Sequence, residues 1–181
     1  MKKYAIIISG ILILAGCSAS VAVAQVDDAQ VVTSTKIIKV DTFSTKQLVK
    51  LAKVERNTAQ MKKVVKYLKT RVGKTSYVFS GSSPRGWDCS GMVRWTYERF
   101  GIELPHSANK QGHVGTRVSK PKLGDVVVFA YAGSTSFYHA AIYIGNGKIV
   151  HANQSRDTTV IEPLSNYKNS QIRFVRVVET Q

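Results

Sequence analysis

The chain has 181 residues, of which 44% are hydrophobic and 20% are charged. This composition is typical of a globular protein and excludes a collagen-like or low-complexity chain. The length suits one domain of ordinary size with additional segments. Lysine and arginine outnumber aspartate and glutamate by 26 to 11, and the formal net charge of +15 favours polyanionic surroundings.

The first 24 residues are typical of a secretory signal. Lys2 and Lys3 precede a mostly apolar run from Tyr4 to Ala15, which is too short to span a membrane comfortably. An exported basic protein rarely meets nucleic acid. We therefore expect no nucleic-acid partner, and we take anionic wall polymers or a membrane surface as the polyanionic surroundings.

Two cleavage sites compete within this region. The stretch "LAGC", which ends at Cys17, resembles a bacterial lipobox and directly follows the apolar run. This interpretation makes Cys17 the lipid-modified first residue of a membrane-anchored lipoprotein, and it is the one we prefer. The alternative is cleavage after Ala24 in "AVAQ", which would give a freely secreted protein.

Residues 25–58 are interpreted as a tether or lead-in segment, with a helix over Thr45–Val54. A second helix is predicted to begin at Asn57 or Thr58 and to end near Gly73. Its apolar stripe consists of Met61, Val64, Val65 and Leu68.

Cys89 is the only cysteine left when Cys17 is lipidated or removed. It lies in "GWDCSGMVRW", after a loop rich in glycine and serine. The apolar residues that follow recur at helical spacing up to Phe100, which predicts a largely buried helix that begins at or near Cys89. A thiol at a helix N-terminus can have a lowered pKa, but a buried, inert thiol remains the alternative.

Strand patterns dominate the second half of the chain. The patterned stretches are "DVVVFAY", "HAAIYIG", "IVHAN" and "QIRFVRVVE". Helices followed by an antiparallel sheet favour an α+β fold with one core.

His139 and His151 lie on the two strands of the predicted hairpin, whose turn is Asn146-Gly147. A two-residue turn places the two histidines on opposite faces of the sheet, whereas one bulge places them on the same face. Even then we expect them to lie about 10–13 Å apart along the strands. The spacing therefore does not establish a contact between them, and His113 is interpreted as a surface residue.

A set of motifs in a fixed order resembles the NlpC/P60 family of cell-wall cysteine peptidases over roughly residues 59–181. In chain order the motifs are "YVFSG", "DCSG", "LPHSANKQ", "LGDVVVF" and "HAAIYIGNGKIVHA". The resemblance implies a papain-like α+β fold with N-terminal helices packed on a central antiparallel sheet. It also implies that residues 59–181 form the catalytic domain.

The resemblance implies a role for each matched residue. Cys89 becomes the nucleophile, His139 the general base, and His151 the polar residue that orients His139. Further matched positions would help the oxyanion or bind substrate: Tyr77, Asp88, Ser90 and His106. The sequence departs from the family at His106, where arginine is frequent, and at Ser80, which replaces a glycine.

The implied function is peptidoglycan hydrolysis by a monomeric thiol endopeptidase that needs no metal or cofactor. Its substrates would be stem peptides, cut between D-glutamate and the following diamino acid. Two alternatives stay open. One is an amidase or acyl transferase on the same fold, and the other is a non-catalytic wall-binding module.

Overall fold

A computed structural model describes residues 44–181. The signal region, Cys17 and residues 25–43 lie outside the described residues. The helices are α1 (Thr45–Thr70), α2 (Cys89–Glu98) and α3 (Ala108–Gln111), with a short 3₁₀ helix at Leu164–Tyr167. The strands are β1 (Ser82–Ser83), β2 (Gly86–Trp87), β3 (Thr116–Val118), β4 (Val126–Ala130), β5 (Phe137–Gly145), β6 (Lys148–Asn153), β7 (Thr158–Pro163) and β8 (Gln171–Arg176).

The main sheet has six antiparallel strands in the order β3-β8-β4-β5-β6-β7. One face packs against helices α1 and α2 in the principal core, and the other face forms a smaller apolar cluster around Val127, Phe129 and Ile149. Strand β4 is buried along its whole length, which explains its continuous apolar run. The predicted α+β class is confirmed.

Helix α1 is one continuous helix of 26 residues. It begins after Ser44, whose side chain accepts from the Gln47 amide, while the Gln47 side chain accepts from the Ser44 amide. The prediction of a helix start at Asn57 or Thr58 is wrong, because the Thr58 hydroxyl donates to the Val54 carbonyl within the helix. Among the described residues, no helix is long and apolar enough to cross a membrane.

The predicted apolar stripe of α1 lies in the core. Its buried residues are Thr58, Met61, Val64, Val65 and Leu68. The N-terminal half of the helix contributes no buried side chain, and it presents Leu48 and Leu51 to solvent. Only the second half of α1 therefore anchors the helix to the sheet.

A buried ion pair joins the start of β4 to the end of β8. The Arg176 guanidinium donates to both carboxylate oxygens of Asp125, at 3.0 and 2.8 Å. The Lys122 amide donates to the same carboxylate at 2.7 Å, and Asp125 is 1% exposed. Because a buried carboxylate needs such partners, the pair holds β4 and β8 together at one end of the sheet.

Replacing Arg176 with methionine should lower the free energy of unfolding by about 3 kcal/mol, because Asp125 would stay buried without its countercharge. Chemical denaturation measures this loss. The control is Lys63→Met on the exposed face of α1, which should change stability by less than about 0.5 kcal/mol. Equal stability of the two variants would contradict a structural role for the pair.

Candidate active site

Cys89 is the first residue of α2, and Asp88 caps the helix. The Asp88 carboxylate accepts from the Gly91 amide at 2.7 Å and from the Ser90 hydroxyl at 2.9 Å. The Asp88 amide donates in turn to the Gly81 carbonyl at 3.0 Å. These contacts place the Cys89 thiol at the positive end of the helix dipole.

The glycine of "DCSG" is required by a close approach of two backbone segments. A Cβ atom on Gly91 would lie 1.9 Å from the Gly81 carbonyl oxygen. The same loop holds Ser80 at a φ of 59°, a left-handed conformation that favours glycine. The Ser80 amide donates to Asp88 at 3.0 Å, so this strained turn helps fix the helix cap.

A bulge in β5 brings the two histidines together. Gly145 pairs with Lys148, as the two-residue turn Asn146-Gly147 requires, but Tyr143 rather than Ile144 pairs with Ile149. Continuing this register places His151 opposite Ala141, two residues from His139 and on the same face. The offset is about 7 Å along the strand, which the two side chains span. The expected separation of 10–13 Å is therefore wrong.

His139 and His151 are in direct contact. Nε2 of His139 lies 2.9 Å from Nδ1 of His151, and the two rings are nearly perpendicular at 84°. Nε2 of His151 lies 3.2 Å from the Glu162 carboxylate and 3.2 Å from the Tyr167 hydroxyl. Sequence reasoning missed Glu162 and Tyr167; the available signal was an acidic residue in the otherwise uncharged strand β7.

Cys89 and His139 line one cavity of about 320 Å³. Tyr77 and His151 also line it. The rest of the lining consists of Tyr131, Tyr138, Asn153, Gln154, Ser155 and Tyr167. The nucleophile and base assigned by resemblance therefore face the same space, although they lie 50 residues apart in the sequence.

The other matched residues form a separate polar cluster beside the helix start. Nε2 of His106 lies 3.0 Å from each carboxylate oxygen of Asp88, and Ser90 is buried with its hydroxyl on the same carboxylate. None of these three side chains lines the cavity that contains the thiol. His113 is exposed, in agreement with its interpretation as a surface residue.

The environment keeps the thiol and its base neutral. Burial raises the pKa of the Cys89 thiol, and the nearby Asp88 charge raises it further. Hydrogen bonds from backbone amides, above all that of Ala140, lower this pKa but do not cancel the increase. Burial, followed by the neighbouring His151, lowers the pKa of His139 to about 3. The helix dipole does not outweigh burial, and the pair rests as thiol and neutral imidazole.

Tyr77 remains a hydrogen-bond donor at neutral pH. Burial raises the pKa of its phenol, and repulsion by the Cys89 thiolate, once that forms at high pH, and by Asp88 raises it further. A protonated phenol beside the thiol can donate to a negative oxygen formed there. With a buried thiol, a neutral imidazole and this donor, the cavity has the groups that nucleophilic attack on a carbonyl requires.

Residues 73–178 match the model of the NlpC/P60 family. The chain belongs to the NlpC/P60 family. It is 38% identical over 104 residues to the gamma-DL-glutamyl hydrolase of Bacillus subtilis, which covers 55% of this chain and 25% of that protein. It is 49% identical over 82 residues to the murein DD-endopeptidase MepS/murein LD-carboxypeptidase of Escherichia coli, which covers 44% and 43% of the two chains.

A solved structure shares the fold. The crystal structure of an NlpC/P60 family protein from Bacillus cereus superposes with a TM-score of 0.59 at 28% identity, over 65% of this chain and 40% of that chain. In each of these comparisons the match spans less than half of the relative. The similarity therefore concerns the domain around the thiol.

Because burial keeps both groups neutral, the ultraviolet absorbance of a thiolate should be absent from about pH 5 to about pH 8. It should appear only above the ordinary thiol pKa of 9.0. The measurement is a pH titration of the wild type minus that of Cys89→Ser. A thiolate signal that is already constant at about pH 5 would show a resting ion pair instead.

Proposed function

We propose that the protein is a peptidoglycan hydrolase, a thiol endopeptidase that cuts stem peptides between D-glutamate and the following diamino acid. The observation that carries this proposal is the shared cavity of Cys89 and His139, with His139 held by His151 at 2.9 Å. Two of its relatives, a gamma-DL-glutamyl hydrolase and a murein endopeptidase, support this substrate class.

In this proposal His139 removes the proton from Cys89 as the sulfur attacks the amide carbonyl. The resulting oxyanion accepts from the Cys89 amide at the helix start and from the Tyr77 hydroxyl. His139 then protonates the leaving amine, and water releases the acyl group. His151 holds the His139 ring in one orientation throughout, so that the base keeps a single free nitrogen.

We also propose that Asp88, Ser90 and His106 act on the substrate side of the helix start. Their hydrogen bonds gather one carboxylate, one hydroxyl and one imidazole at the start of α2, outside the lining of the cavity that contains the thiol. These groups suit the polar ends of a short peptide better than an apolar side chain. His106 stands where arginine is frequent in the family. This difference changes the strength of the contact with substrate at that position, but the contact stays polar.

The mature wild-type protein should release soluble stem-peptide fragments from peptidoglycan, and Cys89→Ala should lower the rate by at least about 10³-fold because the nucleophile is lost. Mass spectrometry of the fragments identifies the bond. An endopeptidase leaves part of each peptide on the sugar, whereas an amidase frees the whole peptide.

A matched control is Ser119→Ala, an exposed position outside the cavity lining, which should keep the wild-type rate. Release of whole stem peptides would contradict an endopeptidase and favour the amidase alternative. If wild type and Cys89→Ala both bind the wall and release nothing, the non-catalytic module is the correct function.

We propose an extracytoplasmic location, since the relatives act on the cell wall, with a lipid anchor at Cys17 as the finer assignment. The basic surface favours a location beside a polyanion, which would be either a wall polymer or a membrane. Helix α1 alone carries seven lysines and one arginine against one glutamate, and these basic side chains are exposed. We propose that the protein is a monomer and that it acts on peptidoglycan stem peptides between the membrane and the wall.

Cys17→Ser should move the protein from the membrane fraction to the soluble extracytoplasmic fraction, because the lipid-bearing thiol is lost. Cell fractionation with immunoblotting measures the change. Ser18→Ala is the matched control and should stay with the membrane. A wild-type protein that is already soluble, with Gln25 as its first residue, would establish cleavage after Ala24 instead.

A further inference from the structure

A carboxylate on β7 lies behind the second histidine. Glu162 is 6% exposed, and its Oε2 atom lies 3.2 Å from Nε2 of His151, which is itself 1% exposed. Glu162 pairs across the strands with Ile149, two residues from His151 and on the same face of the sheet. The carboxylate therefore continues the diagonal that begins at His139 and passes through His151.

Two further side chains keep Glu162 ionised and in place. The Tyr167 hydroxyl donates to Oε2 at 2.8 Å, and the Arg156 guanidinium lies 2.9 Å from Oε1. Although burial alone would raise the pKa of Glu162, its hydrogen bonds from Tyr167 and His151 bring the net shift downward. An ionised carboxylate has no proton to donate, so it can only accept from His151.

Because Glu162 can only accept, it determines which ring nitrogen of each histidine carries the proton. Since Glu162 only accepts, Nε2 of His151 must carry its proton, and in the neutral ring Nδ1 is then bare. A bare Nδ1 can only accept from Nε2 of His139, at 2.9 Å. The proton of His139 is therefore on Nε2, and its Nδ1 is left with a free lone pair for the thiol.

We propose that Glu162 is a positioning residue that sets the tautomers of His151 and His139 and thereby keeps a base available to Cys89. The kinetic part of this inference rests on the proposed hydrolase function. Glu162 does not touch the thiol, and it acts through two consecutive hydrogen bonds. The assignment extends the catalytic constellation from three side chains to four.

The direct test is the tautomeric state of both rings, read from long-range ¹H–¹⁵N correlation spectra of the ¹⁵N-labelled full chain. The wild type should show His139 and His151 protonated on Nε2. Glu162→Leu removes the acceptor and should populate the Nδ1-protonated form of His151. Glu103→Leu is the control, because Glu103 is exposed and its partner is Arg94, and its histidine spectra should match the wild type.

Kinetics on purified stem peptide provide a second readout. Glu162→Leu should lower kcat by about 10²-fold with little change in KM, a smaller loss than the about 10⁴-fold that follows a wrong tautomer in a serine protease triad. Glu162→Gln keeps one oxygen that can accept from His151, and we expect a loss of about tenfold. If the leucine variant does not fold, the glutamine variant provides both readouts, because its amide can also donate to Nε2 of His151 and should then populate the Nδ1-protonated form of His151 in part.

Tyr167→Phe separates the two groups near Nε2 of His151. It removes the hydroxyl and leaves Glu162 as the acceptor, so both tautomers should match the wild type. The inference is overturned if Glu162→Leu leaves the tautomers unchanged, or if Tyr167→Phe rather than Glu162→Leu shifts them. Because these spectra need no substrate, they test Glu162 even if the wild type does not cleave peptidoglycan.

Discussion

The site depends on the bulge at Ile144, where β5 gains one residue over β6. A regular two-residue hairpin would send His139 and His151 to opposite faces of the sheet, because side chains alternate along a strand. The extra residue places both histidine rings on the same face of the sheet. Glu162 lies on that face too, on the next strand. The order in which His139, His151 and Glu162 follow one another is thus a consequence of strand register.

Burial then determines how the thiol can react. Within the cavity, desolvation disfavours both the thiolate of Cys89 and the imidazolium of His139. In the proposed reaction a neutral pair has to transfer its proton during attack, so the orientation of His139 matters more than it would in a preformed ion pair. The hydrogen bond between His139 and His151 supplies that orientation, and Tyr77 remains protonated as a donor.

Much of this arrangement could be predicted from local sequence. The loop and the apolar spacing predicted a helix that begins at or near Cys89, and the structure has this helix with Asp88 as its cap. The apolar run of β4 likewise identified a buried strand. The start of α1 was predicted wrongly, because Asn57 and Thr58 favour helix caps and yet lie within a helix that was already established upstream.

The amino-acid sequence by itself determined the element types and the ordered motifs around Cys89 and His139, because helix caps, turns and apolar periodicity act over a few residues. Only the tertiary structure decided that His139 contacts His151 and that Glu162 contacts the other ring nitrogen of His151. These contacts depend on a bulge and on pairing between three strands. They also depend on burial, which sets the protonation of the pair and is a property of the whole packed domain.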